Sequence, residues 1–302
     1  MSRPALSVVV LSYARPAYLH QALASIVAQP LADREILVVD NRSPASEEVA
    51  AAVAAFPEAR LHRLGRNLGF TGGMNAGIAL ASGRCVLLSE DDIVLEPGCL
   101  AALLAESERA GEGTILAPVM VDAGTRRVRA AGGDLSLGPP YRLRIRSENE
   151  DLASVPGAPY DVTFASGACL LFPRPALDAL GGFRDDYFMY FEDTELCLRA
   201  RRRRIRVAVV PAARVAHLPP ARLPPGPSLA THKLKNLLAT YVLHAPLRVL
   251  PEVAVRYGLL EGARGLARGP RELATVSRAW LWLAWHGRAL LRDRARERRA
   301  SR

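Results

Sequence analysis

The first hundred residues alternate between two hydrophobic rhythms. Residues 6–11 (LSVVVL) are an unbroken apolar run of strand length. Residues 16–29 follow with apolar positions Leu19, Leu23, Ile26 and Val27, a helical spacing with proline near its start. The alternation repeats. Residues 35–40 (EILVVD) predict a second strand, 46–56 an Ala/Val-rich helix and 60–64 a short third strand. Residues 72–81 predict a helix, 85–89 a fourth strand, and 97–111 a helix with Leu100, Leu103 and Leu104 on one side. Buried strands alternating with helices predict an α/β fold, with a mostly parallel central sheet flanked by helices. Ligands of such sheets bind beyond the carboxyl ends of the strands.

The rhythm breaks over 114–159, where Gly132-Gly133, Pro139-Pro140 and a charged stretch at 142–151 read as excursion loops with a hairpin. Strand character returns at 162–172 and 205–210, with a short helix at 192–203 between them. Five prolines in 219–227 mark a linker. This divides the chain into a 1–218 domain, a 219–229 linker and a 230–302 helical region. No internal repeat appears.

Charge separates the same parts. Residues 1–198 carry 17 Lys and Arg against 25 Asp and Glu, net −8, and residues 199–302 carry 23 against 5, net +18. Only Lys233 and Lys235 are lysines, so arginine identity alone says little about a site. Four scattered cysteines without a CxxC pair exclude a zinc site or disulfide framework and suit a reducing compartment. Residues 6–11 are too short for the apolar core of a signal peptide, so none is expected, and no apolar run reaches about 18 residues, the span of a bilayer.

Polar residues gather where the strands end: Ser12, Tyr13 and Arg15 after the first, Asp40 and Asn41 after the second, Glu90-Asp91-Asp92 after the fourth. Acidic residues also cap helices, which leaves Asp40 open to either reading. Three adjacent carboxylates, however, repel one another unless a cation or proton relieves them. Hard divalent ions such as Mg²⁺ or Mn²⁺ prefer such oxygen ligands and share them with phosphates. Gly65–Asn75 (GRNLGFTGGMN) lets the backbone approach a ligand and offers a helix amino end to an anion. It is neither a Walker A loop nor a dinucleotide fingerprint. Tyr190–Glu195 (YFEDTE) opens a helix with Asp193 placed as a general base or as a cap. His217 stands alone after a strand.

Taken together, VVVLSYARPAYL, ILVVDNRS, RNLGFTGGMNAG, VLLSEDDIVLEPG and DYFMYFEDTELCLRA followed by His217 resemble inverting family 2 glycosyltransferases of the GT-A fold. The nearest subgroup is bacterial and rhamnosyltransferase- or galactofuranosyltransferase-like. The resemblance covers about residues 5–220. It implies a donor pocket in which Asp40 meets the nucleotide base, with Ser12 and Arg15 lining it. It implies a DxD-type metal site for Mg²⁺ or Mn²⁺, with Asp92 as the surest ligand, His217 as a second and Glu90 in the place of the usual Asp or Asn. Asp193 matches the catalytic base. Asn67, Gly72, Gly73, Asn75 and Asp91 complete the donor site.

The expected enzyme moves a sugar from a nucleotide-diphosphate donor, dTDP-rhamnose or a UDP-sugar, to a glycan or lipid-linked glycan. Its setting is cytoplasmic, peripheral on the inner face of the cell membrane. Trp280, Trp282 and Trp285 beside Arg278, Arg288, Arg292 and Arg294 suit anionic headgroups, so residues 230–302 are expected to meet the membrane surface. No nucleic-acid recognition motif appears. The alternatives are a catalytically weak sugar-nucleotide or glycan-binding relative, raised by Glu90, and a nucleotidyltransferase, which lacks its Gly-rich start with a Lys.

Overall fold

The computed structural model describes residues 3–138, 142–220 and 229–300, the side chains of Arg142 and Ala300 excepted. Most of the expected proline linker, 221–228, lies outside the described residues, as does the Pro139-Pro140 pair.

The chain begins as repeated strand–helix units. These are β1 (Leu6–Ser12), α1 (Pro16–Val27), β2 (Arg34–Asp40), α2 (Ser46–Ala54), β3 (Ala59–Arg63), α3 (Gly69–Leu80) and β4 (Cys85–Glu90). A short β5 (Ile93–Leu95) and α4 (Cys99–Ala110) lead into β6 (Thr114–Asp122) and β7 (Val128–Ala130). The hairpin β8 (Gly133–Ser136) and β9 (Arg142–Ile145) stands apart from the main sheet. Then come β10 (Tyr160–Asp161), β11 (Cys169–Pro173), α5 (Arg174–Leu180), α6 (Glu192–Arg202) and β12 (Arg206–His217). The carboxyl-terminal part is helical: α7 (Leu229–His244), α8 (Leu250–Ala254), a π-helical turn over Val255–Leu260, α9 (Glu261–Arg268) and α10 (Pro270–Ala300).

The strand order is β10-β12-β6-β11-β4-β1-β2-β3, with β5 on β12 and β7 on β6. Strands β3, β2, β1, β4, β6 and β12 run one way, and β11 lies antiparallel between β4 and β6. The sheet is mostly parallel, as the sequence predicts. Successive residues of its strands face opposite sides. Val8, Val10, Ile36 and Val38 meet Leu19, Leu23 and Ile26 of α1 and Leu100 and Leu103 of α4. Val9, Leu11, Leu37 and Val39 meet Phe70 and Met74 of α3 and Leu196 of α6.

Several sequence expectations need correction. Residues 114–122, read as excursion loop, form the buried inner strand β6. Its Pro118 hides the strand pattern, since proline lacks the N–H of a ladder bond. Here Pro118 pairs with Val210, beside the register shift between Val210 and Arg214, where the ladder is already interrupted. Beyond that bulge, β12 continues to His217 rather than stopping at 210. Strand β11 covers only the end of the expected 162–172 strand. Helix α3 starts at Gly69, three residues before the expected 72. Gly73 and Gly77 sit where a Cβ would strike Leu11 and Val9, so these glycines let α3 lie close on β1.

Candidate active site

Parallel register sets the edge of the site. Ser12 pairs with Asp40, and Leu11 pairs with Glu90, so the ends of β1, β2 and β4 meet along one line. The ladder between β12 and β5 sets His217 opposite Ile93, and the Leu218 N–H donates to the Asp92 carbonyl (2.9 Å). The distant His217 therefore reaches the trio, with Nε2 3.5 Å from Asp92 Oδ2.

Ala14 turns the chain after β1 through a left-handed conformation (φ 60°). Arg15, expected beside Asp40, instead sends its guanidinium into the acidic trio. It pairs with Asp91 Oδ1 and Asp92 Oδ2 and lies 3.8 Å from Glu90. Asp91 also accepts from the Tyr13 N–H (3.1 Å). One arginine does not neutralise three carboxyls. Burial, followed by the Asp92 charge, pushes Glu90 up to about 8, and burial pushes Asp91 up to about 6.

The trio fits a divalent cation by chemistry. Asp92 Oδ1 and His217 Nδ1 are buried without hydrogen-bond partners. Burial lowers the His217 pKa, which keeps the imidazole neutral and able to ligate. Asp92 and His217 lie side by side, as a pair of ligands to one ion would. Among the described residues, no three His, Cys, Asp or Glu side chains already converge as a metal cage.

Asp193 lies in the first turn of α6. Its Oδ2 accepts from the Gly167 N–H (3.2 Å), and its Oδ1 accepts from the Thr194 N–H (2.6 Å). The next residue, Ala168, accepts through its carbonyl from the Glu90 N–H (3.0 Å). The 167–168 turn thus holds Asp193 next to the end of β4. Burial raises the Asp193 pKa despite these hydrogen bonds. Burial, reinforced by Asp193, raises Glu192 further, and its Oε2 has no partner.

The remaining expected donor residues carry local structure. Asp40 accepts from the Ser43 N–H (2.8 Å) and the Ser46 hydroxyl (3.1 Å), shaping the turn into α2. Asn67 caps the Gly69 N–H (2.8 Å), and the Thr71 N–H donates to the Phe188 carbonyl (3.2 Å). Those amides of the α3 amino end are therefore already engaged. A Cβ on Gly72 would press Leu68. Asn75 binds both the N–H and the carbonyl of Phe183 (2.9 Å each) and tethers α3 to that loop.

The support behind Asp193 has no signal in the sequence motifs. Phe188, Tyr190 and Phe191 all have positive φ (65°, 72° and 64°), costly for non-glycine residues. Buried Asn236 of α7 holds this stretch, its Nδ2 donating to the carbonyls of Tyr187 (2.8 Å), Met189 (2.9 Å) and Tyr190 (2.7 Å). Thr240 binds the Tyr187 hydroxyl (2.9 Å), and His244 Nε2 lies 3.2 Å from Glu195 of α6. Asn236, Thr240 and His244 recur every four residues, a polar stripe that marks a buried helix face. Helix α10 adds Arg184–Asp293 (3.1 Å) and an Arg203–Glu297 pair. Of the three tryptophans, Trp280 donates to the Tyr257 carbonyl (3.1 Å) and Trp282 stacks on His286, while Trp285 is 86% exposed. Among the described residues, no helix is long and apolar enough to cross a membrane.

A model of the "Glycosyltransferase like family 2" matches residues 4–231. The N-acetylglucosaminyl-diphospho-decaprenol L-rhamnosyltransferase of Mycobacterium tuberculosis is 29% identical over 237 residues, 70% of this chain and 75% of that protein. The structure of S. aureus TarS 1-349 in complex with UDP-GlcNAc superposes with a TM-score of 0.62 at 16% identity, over 98% of this chain and 90% of that one. GalNAc-T7 with UDP, GalNAc and Mn²⁺ gives 0.65 at 16% identity over 80% of this chain; the match spans 48% of that longer protein. At such identities the structures speak for the fold. The chain belongs to glycosyltransferase family 2, carries the GT-A fold and is a glycosyltransferase.

Proposed function

We propose that the protein is an inverting transferase that moves rhamnose from dTDP-rhamnose, or a sugar from a UDP donor, to a hydroxyl of a lipid-linked glycan. The observation that carries this reading is the Asp193–Gly167–Ala168–Glu90 connection, which sets a carboxylate base beside the acidic trio. The rhamnosyltransferase relative favours this donor and acceptor and a role in cell-wall polysaccharide synthesis.

Asp193 takes the acceptor proton as the hydroxyl attacks the anomeric carbon. Its raised pKa suits a base working near neutral pH. Asp92 and His217 would hold Mg²⁺ or Mn²⁺, which when bound supplies Lewis-acid stabilisation of the departing diphosphate. Arg15 balances Asp91 and orders the trio. Each Asp40 oxygen keeps a second lone pair for a donor base. Exposed Leu281 and Trp285, within the +18 carboxyl-terminal part, favour peripheral attachment to an anionic membrane at the cytoplasmic face.

Arg15 within the trio also favours a second reading, a catalytically weak relative that binds sugar nucleotides. Turnover of dTDP-rhamnose and UDP-sugars with and without Mn²⁺, with the product anomer assigned by NMR, tests both. An inverted, Mn²⁺-dependent product supports the transferase. Tight donor binding without product supports the second reading.

A further inference from the structure

A cavity of about 640 Å³ opens between α7, the π-helical turn, α9 and the start of α10. That volume falls within the roughly 300–1,000 Å³ of small-ligand sites. Its wall is apolar at Phe191, Leu234, Leu237 and Val276. Phe191 precedes Asp193 by two residues, so the cavity reaches the segment that carries the base. Ser12, Arg15, Asp40, Asp92 and His217 do not line it.

Three cations complete the lining: Lys233, Arg268 and Arg271. None of them is ion-paired among the described residues. Lys233 Nζ lies 4.6 Å from the Tyr190 ring centroid, next to the strained stretch. Of the two acids in the wall, Glu261 is paired with Arg264, and Glu272 sits in the first turn of α10, where the helix dipole favours it. Three free positive charges around an apolar hollow complement a dianionic head on a hydrocarbon chain. An inverting displacement also needs its acceptor on the face opposite the leaving nucleotide.

We propose that this cavity holds the acceptor's lipid diphosphate, with the first prenyl units against Leu234, Leu237 and Val276 and the diphosphate on Lys233, Arg268 and Arg271. The sugar beyond the diphosphate then extends past Phe191 to Asp193. This rests on the lipid-linked-acceptor reading above.

Calorimetry on the full chain with farnesyl diphosphate as probe tests the assignment. Inorganic pyrophosphate and UDP or dTDP with Mn²⁺ are titrated in parallel. Binding of farnesyl diphosphate is expected to weaken by at least about tenfold, about 1.4 kcal/mol, in Lys233→Glu/Arg271→Glu. The same loss is expected in Thr275→Trp, which fills the cavity without touching charge. Nucleotide binding stays unchanged in both variants. Undetectable farnesyl diphosphate binding, equal affinity in the variants, or pyrophosphate binding as tightly as the prenyl form overturns the cavity assignment. If the wild type also fails to bind any nucleotide, the transferase reading falls with it; if nucleotide still binds, the cavity assignment alone falls.

Discussion

Replacing Asn236 with alanine separates the geometry of the base from its chemistry. Two Nδ2 hydrogens serve three carbonyls in a buried setting, at Tyr187, Met189 and Tyr190. Leaving a buried acceptor unsatisfied costs about 1–3 kcal/mol, and two full bonds are lost. Against this loss, Phe188, Tyr190 and Phe191 can relax from positive φ, recovering part of the roughly 1–3 kcal/mol held at each. The net cost is therefore nearer about 2–3 kcal/mol than the sum of the bonds. For a chain of this size that lowers Tm by about 3–5 °C. The relaxation also moves Asp193, two residues beyond Phe191. A displacement of about 1 Å costs about 10²-fold in rate. Single-turnover transfer, thermal melting and nucleotide titration measure the three quantities. The expected result is a folded protein with kcat down about a hundredfold and donor affinity unchanged, because Asn236 touches none of the donor residues. A folded Asn236→Ala protein with wild-type kcat would refute the claim that this clamp positions the base.

Four further outcomes follow from the geometry. Asp193→Asn should lower kcat by about 10²–10⁴ with nucleotide binding retained by calorimetry; full turnover removes the base assignment. The base works only when ionised, so kcat/KM should fall as pH drops through a value above the ordinary aspartate range of about 4; a pH–rate profile with its acid limb at the ordinary value contradicts the raised Asp193 pKa. Glu90 and Asp91 are raised to about 8 and about 6, so the folded chain binds extra protons, and its stability declines as pH rises between the unfolded values and these. A divalent cation relieves that repulsion, so Mn²⁺ should raise Tm more at pH 8 than at pH 5.5 and not at all in Asp92→Ala; equal shifts at both pH values would count against the site. Leu281→Ser/Trp285→Ser should lose flotation with anionic vesicles while turnover of a water-soluble acceptor is kept, and undiminished flotation would dismiss this face of α10.

Buried parallel strands are continuous apolar runs, which is why β1, β2 and β4 can be read directly from the residues. The same edge rule brings Ser12, Asp40 and the trio together from the strand ends alone. Pro118 broke the rule for β6, because the bulge that accommodates it belongs to β12, about ninety residues later. Glycines at 69, 72 and 73 signal close approach, but what approaches is Phe188, Leu68 and Leu11 as well as any ligand. Asp193 and His217 stand out through chemistry and order along the chain. Arg15 reads as a pocket residue because nothing local reveals that the left-handed turn at Ala14 folds it back onto Asp91. Asn236 hides in a segment whose arginines and tryptophans invite a membrane reading, and its partners lie about fifty positions upstream.

Helix α7 shows one flank to the base loop, through Asn236 and Thr240, and another to the cavity, through Lys233, Leu234 and Leu237. Chimeras that trade only the tail of such a transferase therefore also exchange the bracket behind Asp193. An exchange made between His217 and Leu229 breaks that partnership, whereas one made after His244 keeps it.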